Sequence, residues 1–360
     1  MDKEKVAARL MDWTKADMMD AALRLGLPPI RQSARKAEWA AHIAEGLETH
    51  GMNLLLLLTL EETEALHQAF GNGTTVAMGN LRTADMNLRS ALAMLSQFGV
   101  VDVVKGEYRV EPFVSELVDL DEAGWAQQRL QDNLYSFMDG WLLHVGMMPV
   151  NELLRRTVDL LELSPDKREA AELLCIALLI AREGQMLWED DEGTQWAVSA
   201  EVEDIGVLHD RLCQPVLRSM DYPAFDEDEL VWASRETRVP GSVKLYLPLL
   251  EWLEGHGVQE ADALIGDAVV LVQNERINEA VEMVMQEAIP ADITEANEAV
   301  GQMISLFNQM PRWSCKGHSP SVMLEKMNPR RKSVRMPGGN DPCSCGSGRK
   351  YKQCCGRRLN

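Results

Sequence analysis

The chain has no long apolar run. The leucine run at residues 54–58 is five long, whereas a bilayer-spanning helix takes about 20 apolar residues, so membrane insertion is not expected. The first residues, Met1-Asp-Lys-Glu-Lys5, are followed by no apolar core of a secretory signal. The expected compartment is therefore cytoplasmic, with reduced thiols. Nucleotide and hydrolase signatures are missing as well. No Gly-x4-Gly-Lys-Ser/Thr, Gly-x-Gly-x-x-Gly, His-Glu-x-x-His or Gly-x-Ser-x-Gly occurs, and the seven histidines are scattered. With none of these motifs to build on, a non-enzymatic protein is expected. No repeat of fixed period supports a regular solenoid. Aromatic residues make up only 6%, although nine are Trp.

What the chain does have is a cysteine array. Four of its seven cysteines, Cys343, Cys345, Cys354 and Cys355, lie within thirteen residues. Four thiolates in two close pairs are what a tetrahedral Zn2+ site needs, and iron is the minor alternative because thiolate sites accept it too. A disulfide reading would need an oxidising compartment, and a redox pair would read Cys-x-x-Cys beside a βαβ unit. Pro342 stiffens the entry, and Gly346 and Gly348 allow a tight turn after the first pair. Arg349-Lys-Tyr-Lys-Gln353 fits one helical turn delivering the second pair, with Tyr351 as the large side chain available to cover the metal. A segment this short has no core, so metal binding would be its folding energy. Cys175, Cys213 and Cys315 are scattered and read as ordinary buried residues.

The run Asn340-Asp-Pro-Cys-Ser-Cys-Gly-Ser-Gly-Arg-Lys-Tyr-Lys-Gln-Cys-Cys-Gly356 resembles the SEC-C motif, found at the end of the SecA translocation ATPase and in many otherwise unrelated bacterial proteins. It departs at Ser344, where Pro is frequent, and at Arg349, where Lys is frequent. The resemblance implies zinc, or iron in some members, held by the four cysteines. It also implies a module that docks protein partners or ribosomes. It covers about a twentieth of the chain and implies no ATPase activity.

Charge divides the sequence in two. Residues 312–360 carry twelve Lys/Arg against two acids, a net +10, whereas residues 1–311 carry a net −30. A basic tail is drawn to an anionic partner, either RNA or an acidic protein face. The acidic remainder argues against extensive nucleic-acid binding by the whole protein, and the tail could also fold onto it. Residues 328–339, with two prolines, paired glycines and no apolar periodicity, read as a linker.

The expected fold class is mainly α, with five segments. Residues 1–50 form a helix–extension–helix module. Thr14 caps its first helix, Gly26 ends it, Leu27-Pro-Pro-Ile30 is extended and Ser33 caps the second helix. This loosely resembles SAP and Rho N-terminal modules through Asp17-Met-Met-Asp-Ala-Ala-Leu-Arg-Leu-Gly-Leu27 and Lys36-Ala-Glu-Trp-Ala40. That resemblance would assign Lys15, Arg24, Arg31, Arg35 and Lys36 to nucleic acid, and a plain helical interaction module is the alternative. Residues 51–120 place helices at 60–70 and 84–98 before a hairpin turning at Lys105-Gly106. They resemble a winged helix, in which Arg82, Arg89 and Lys105 would face DNA. Such folds also serve as protein-docking scaffolds. Residues 121–327 form a helical domain with helices expected at 150–163, 167–187, 202–220, 243–254, 261–287 and 293–308. Within it, Glu189-Asp-Asp-Glu-Gly193 reads as a solvated acidic loop. Met310–Pro320 reads as a capped loop with Trp313 and His318 structural, and Cys315 and His318 lack a second ligand pair. Residues 328–339 are the linker and 340–360 the SEC-C zinc module. The function expected is an adaptor docking a protein or ribosome through that module, with a nucleic-acid-binding regulator as the alternative.

Overall fold

The computed structural model describes residues 1–327 except 72, 78–85, 162 and 183–184, together with Gln353. The protein is mainly α-helical, with two small antiparallel sheets. No helix among the described residues is long and apolar enough to cross a membrane.

The chain opens with α1 (Lys3–Leu10), which the sequence reading omitted. Asp2 caps it by accepting from the Lys5 amide at 3.2 Å, and Val6 and Leu10 are fully buried. α2 (Lys15–Arg24) starts at a reciprocal capping box between Thr14 and Asp17, and Gly26 follows at φ +70°. α3 (Lys36–His50) begins at Arg35, not at Ser33. Glu38 reaches back to the Arg35 amide at 2.6 Å and closes the first turn there. The short α4 (Leu54–Leu57) leads to α5 (Leu60–Phe70), which has a second capping box between Thr59 and Glu62.

β1 (Thr75–Ala77), α6 (Met86–Ser96), β2 (Val101–Val104) and β3 (Glu107–Val110) follow, with sheet order β1-β3-β2. Val104 opposes Glu107, and both linking residues, Lys105 at φ 52° and Gly106 at φ 82°, are left-handed. Such a turn matches the twist of its strands. α7 (Pro112–Val118) completes this part. The described elements run helix, strand, helix, hairpin, and residues 78–85 between β1 and α6, where the winged-helix expectation would be decided, lie outside the described set. One continuous core runs from Val6 through Ile43, Leu54, Phe70 and Leu95 to Val118, so the two N-terminal segments pack as one unit.

The central element is α8 (Glu122–Val145). It leads through β4 (Met147–Pro149) to α9 (Val150–Asp159) and α10 (Pro165–Ala181). The helix expected over 167–187 stops at Ala181, and Arg182 turns extended. β5 (Gln185–Glu189) and β6 (Gln195–Ser199) then form a hairpin, giving the second sheet in the order β4-β6-β5. The acidic loop 189–193 is therefore a hairpin turn. Asp190 holds it by accepting from the Glu192 and Thr194 amides and from Trp196 Nε1. The helix expected over 202–220 is broken at Pro215 into α11 (Ile205–Leu212) and α12 (Pro215–Arg218).

α13 (Glu227–Trp232) runs into a π-helical turn and then Arg238, at φ 57°. α14 (Leu247–Gly255), α15 (Ala261–Gln273), α16 (Ile277–Ala288) and α17 (Ile293–Gln309) build a separate core around Leu253, Ile265, Val284 and Met303. The helix expected over 261–287 is two, because Glu275 sits at φ 61° between α15 and α16. α18 (Pro320–Met327) is the last described helix.

One stripe of α8 is polar yet buried: Gln128, Asp132, Ser136 and Asp139, at helical spacing. Each joins α8 to another element. Gln128 donates to Leu58 O at 3.0 Å, Asp132 accepts from Arg235 at 2.6 Å, and Asp139 accepts from Arg238 at 2.9 Å. Near the end of the helix, His144 Nδ1–H donates to Gly140 O at 2.7 Å, so Nε2 accepts from the Gly241 amide at 2.8 Å. Full burial pushes the His144 pKa down to about 4.

The ring is thus neutral in the fold and protonates near pH 6.5 once unfolded. The stability it confers is complete above pH 6.5 and is lost as pH falls toward 4, an effect on the order of 3 kcal/mol. The urea midpoint of the wild type should fall across that window. A His144→Gln variant should show a flatter profile, and parallel profiles would exclude this residue as the cause.

Candidate metal centre

The four sequence-predicted ligands, Cys343, Cys345, Cys354 and Cys355, and the linker 328–339 lie outside the described residues. Four thiolates in two close pairs would suit Zn2+ or iron, not oxygen-seeking cations. Among the described residues no group of three His, Cys, Asp or Glu side chains could hold a metal ion.

The loop at 310–320, ahead of the tail, is tightly stitched to the body. Trp313 is buried, donating from Nε1 to Leu143 O at 2.8 Å and from its amide to Gln273 Oε1 at 3.0 Å. Arg312 donates to Val272 O at 2.6 Å, and Gln273 Nε2 donates to Pro311 O at 2.9 Å. A Cβ on Gly146 would stand 2.7 Å from the Trp313 ring, so glycine is what lets α8 end against it. His318 Nε2 contacts Asp221 O at 3.0 Å, and partial burial lowers its pKa. Trp313 and His318 thus have the structural roles read from sequence. α18 leaves from this anchored loop, and Ser321 Oγ also bonds Asn308 O.

The remaining cysteines are not alike. Cys175 is fully buried, and its thiol is pushed up to about 12 by desolvation. Cys213 and Cys315 are only half-buried, a correction to the sequence reading, and burial raises both thiols. Cys213 Sγ lies 3.4 Å from His209 Nε2, and Asp190 Oδ2 lies 3.5 Å from the same nitrogen. A nucleophile–base–carboxylate relay uses both ring nitrogens and a lowered thiol pKa, so this trio does not form one. No sequence spacing points to it, because Asp190 comes from a hairpin turn, His209 from α11 and Cys213 from the C-cap of α11.

The proposed nucleic-acid contacts fare unevenly. Arg24 is buried, donating to Ala181 O at 2.8 Å and Gln97 Oε1 at 2.9 Å, so it is a tether, not a phosphate contact. Lys15 bonds Gln32 O and Lys36 bonds Met11 O. Arg31, Arg35, Arg89 and Lys105 are exposed, and Arg82 lies outside the described residues.

Against this geometry, the family model described as SEC-C motif matches residues 340–357. The chain carries a SEC-C motif. Its matches among curated proteins include three translocase subunits. Protein translocase subunit SecA 1 of Magnetococcus marinus is 37% identical over 78 residues, 21% of this chain and 9% of the relative. The SecA of Maridesulfovibrio salexigens is 59% identical over 32 residues, 9% and 4% of the two chains. That of Prosthecochloris aestuarii is 69% identical over 26 residues, 7% and 2%. The chain spans less than a tenth of the length of these relatives. No solved structure matches.

Proposed function

We propose that the protein is a non-enzymatic adaptor. Its SEC-C module, with Zn2+ on Cys343, Cys345, Cys354 and Cys355, docks a protein or ribosomal partner. The observation that carries this reading is the SEC-C match over 340–357, in which all four cysteines stand at ligand spacing. Bound metal would give the segment a fixed shape. The nine Lys/Arg of residues 328–360, against one acid, would steer that shape toward an anionic surface. The reading places the protein in the cytoplasm.

The second reading, a regulator acting on nucleic acid through residues 1–120, draws on the β1-β3-β2 sheet and the exposed Arg31, Arg35, Arg89 and Lys105. The burial of Arg24 and the tethering of Lys15 and Lys36 shrink its phosphate footprint.

Affinity capture with mass spectrometry, comparing wild type with Cys354→Ser/Cys355→Ser, separates the two. The adaptor reading predicts a salt-sensitive partner held by the wild type at least tenfold more strongly than by the variant. Equal recovery by both contradicts it. Equal recovery together with a nucleic-acid mobility shift lost on replacing those four basic residues by Gln would favour the regulator.

A further inference from the structure

β5 is an edge strand, and no described strand pairs with its outer side. The Asp190 amide donates to Thr194 O at 3.1 Å, so 190 and 194 are a bonded pair, and alternation makes 188 and 186 face β6. Leu187 and Glu189 therefore turn their N–H and C=O groups away from β6. No partner for those groups occurs among the described residues. Met186 and Leu187 are 39% and 47% exposed, so the edge is apolar as well as unpaired.

Beside this edge lies a pocket of about 630 Å³ walled by Trp188, Trp196 and Tyr222. His209 stands edge-on to both tryptophans, at 4.9 and 5.0 Å. The carboxylates of Asp191, Glu192 and Asp210 line the pocket, and that of Glu189 projects from the strand. All four residues are exposed, and their carboxylates have no hydrogen-bond or ion-pair partner among the described residues. Of the cations there, Lys316 is already committed to Leu217 O, Met220 O and the Tyr222 face, and Arg218 is on the surface. Tryptophan faces beside unpaired carboxylates suit a guanidinium or ammonium group. An open edge suits an extended backbone.

We propose that the β5 edge and this pocket form a binding site for an extended cationic peptide, and that its occupant is residues 330–336 of the same chain. That run, Arg330-Arg-Lys-Ser-Val-Arg-Met336, carries four basic side chains and no acid. It is also close in the chain. Lys316 lines the pocket, and α18, eight residues from Pro320 to Met327, is about 12 Å long. Residues 328–336 reach up to about 30 Å further, enough to return to the pocket. Docking there would hold the basic segment against the acidic body until a stronger anionic partner competed for it.

The test uses the full chain and its Arg331→Glu/Lys332→Glu/Arg335→Glu variant, with folding checked by circular dichroism. Amide hydrogen exchange at Leu187 and Glu189 should be at least tenfold slower in the wild type, and equal exchange overturns the proposal. Carbodiimide coupling, run on mixed isotope-labelled and unlabelled wild type, should join Lys332 to Glu189, Asp191, Glu192 or Asp210 within one chain. Links only between chains would assign the site to a second copy. Links only to other carboxylates would also overturn it.

Discussion

An Asp132→Ala variant is expected to lose about 3–5 kcal/mol of stability, the cost of leaving a buried cation without its partner. Asp132 is buried in α8 and joins three other elements. Its Oδ2 accepts from Arg235 at 2.6 Å, and its Oδ1 accepts from Arg182 at 3.4 Å and from the Leu60 amide at 3.3 Å. Arg182 is itself buried, spans to Leu56 O at 2.9 Å and Leu58 O at 2.6 Å, and lies 4.5 Å from the Tyr135 ring centre. Burial already lowers the Arg182 pKa, which shows how poorly solvated that charge is.

Without Asp132 the guanidinium keeps its two carbonyls but loses its counter-charge, at the seam where α8, α10 and α4 meet. The thermal midpoint should drop by on the order of 10 °C. Asp132→Asn should cost less, because an amide oxygen can still accept. In Asp132→Ala/Arg182→Met the loss should fall short of the sum of the two single losses, because the stranded charge is gone. Additive losses would mean that the pair is not coupled.

Metal removal should have a different signature. Among the described residues, Val6 through Trp313 supply four hydrophobic cores, and the metal would organise only the short segment around its own ligands. Chelation is therefore expected to move the thermal midpoint of the body by less than about 1 °C, while the tail loses the ligation that folds it. The sensitive readout is thiol chemistry. With metal bound, the four tail thiolates are held, Cys175 is buried, and Cys213 and Cys315 react slowly because burial raises their thiols. Stripping the metal should add four fast-reacting thiols per chain and leave the other three unchanged. A large fall in the body's midpoint on chelation would contradict this separation.

Local chemistry was legible in the sequence and long-range chemistry was not. The Thr14 cap of α2, the Gly26 stop and the Lys105-Gly106 turn each depend on neighbours within a few residues. So does the cysteine spacing within the SEC-C match over 340–357. The second sheet is hidden because the apolar residues of β5 continue the pattern of α10, although the backbone already turns extended at Arg182. The break between α15 and α16 was invisible because a glutamate, Glu275, takes the left-handed conformation usually given to glycine. Arg24 looked like a surface cation, yet its partner, Ala181 O, is 157 residues away. The buried stripe of α8 was equally unreadable: Asp132 and Asp139 resemble solvent-facing residues until Arg182, Arg235 and Arg238 arrive from distant segments.

The central claim is that Cys343, Cys345, Cys354 and Cys355 together hold one metal ion. Elemental analysis of the full chain, purified under reducing conditions, tests it against Cys354→Ser/Cys355→Ser. The account predicts about one zinc per chain in the wild type and essentially none in the variant. A wild type without zinc or iron, or a variant that keeps its metal, would contradict it.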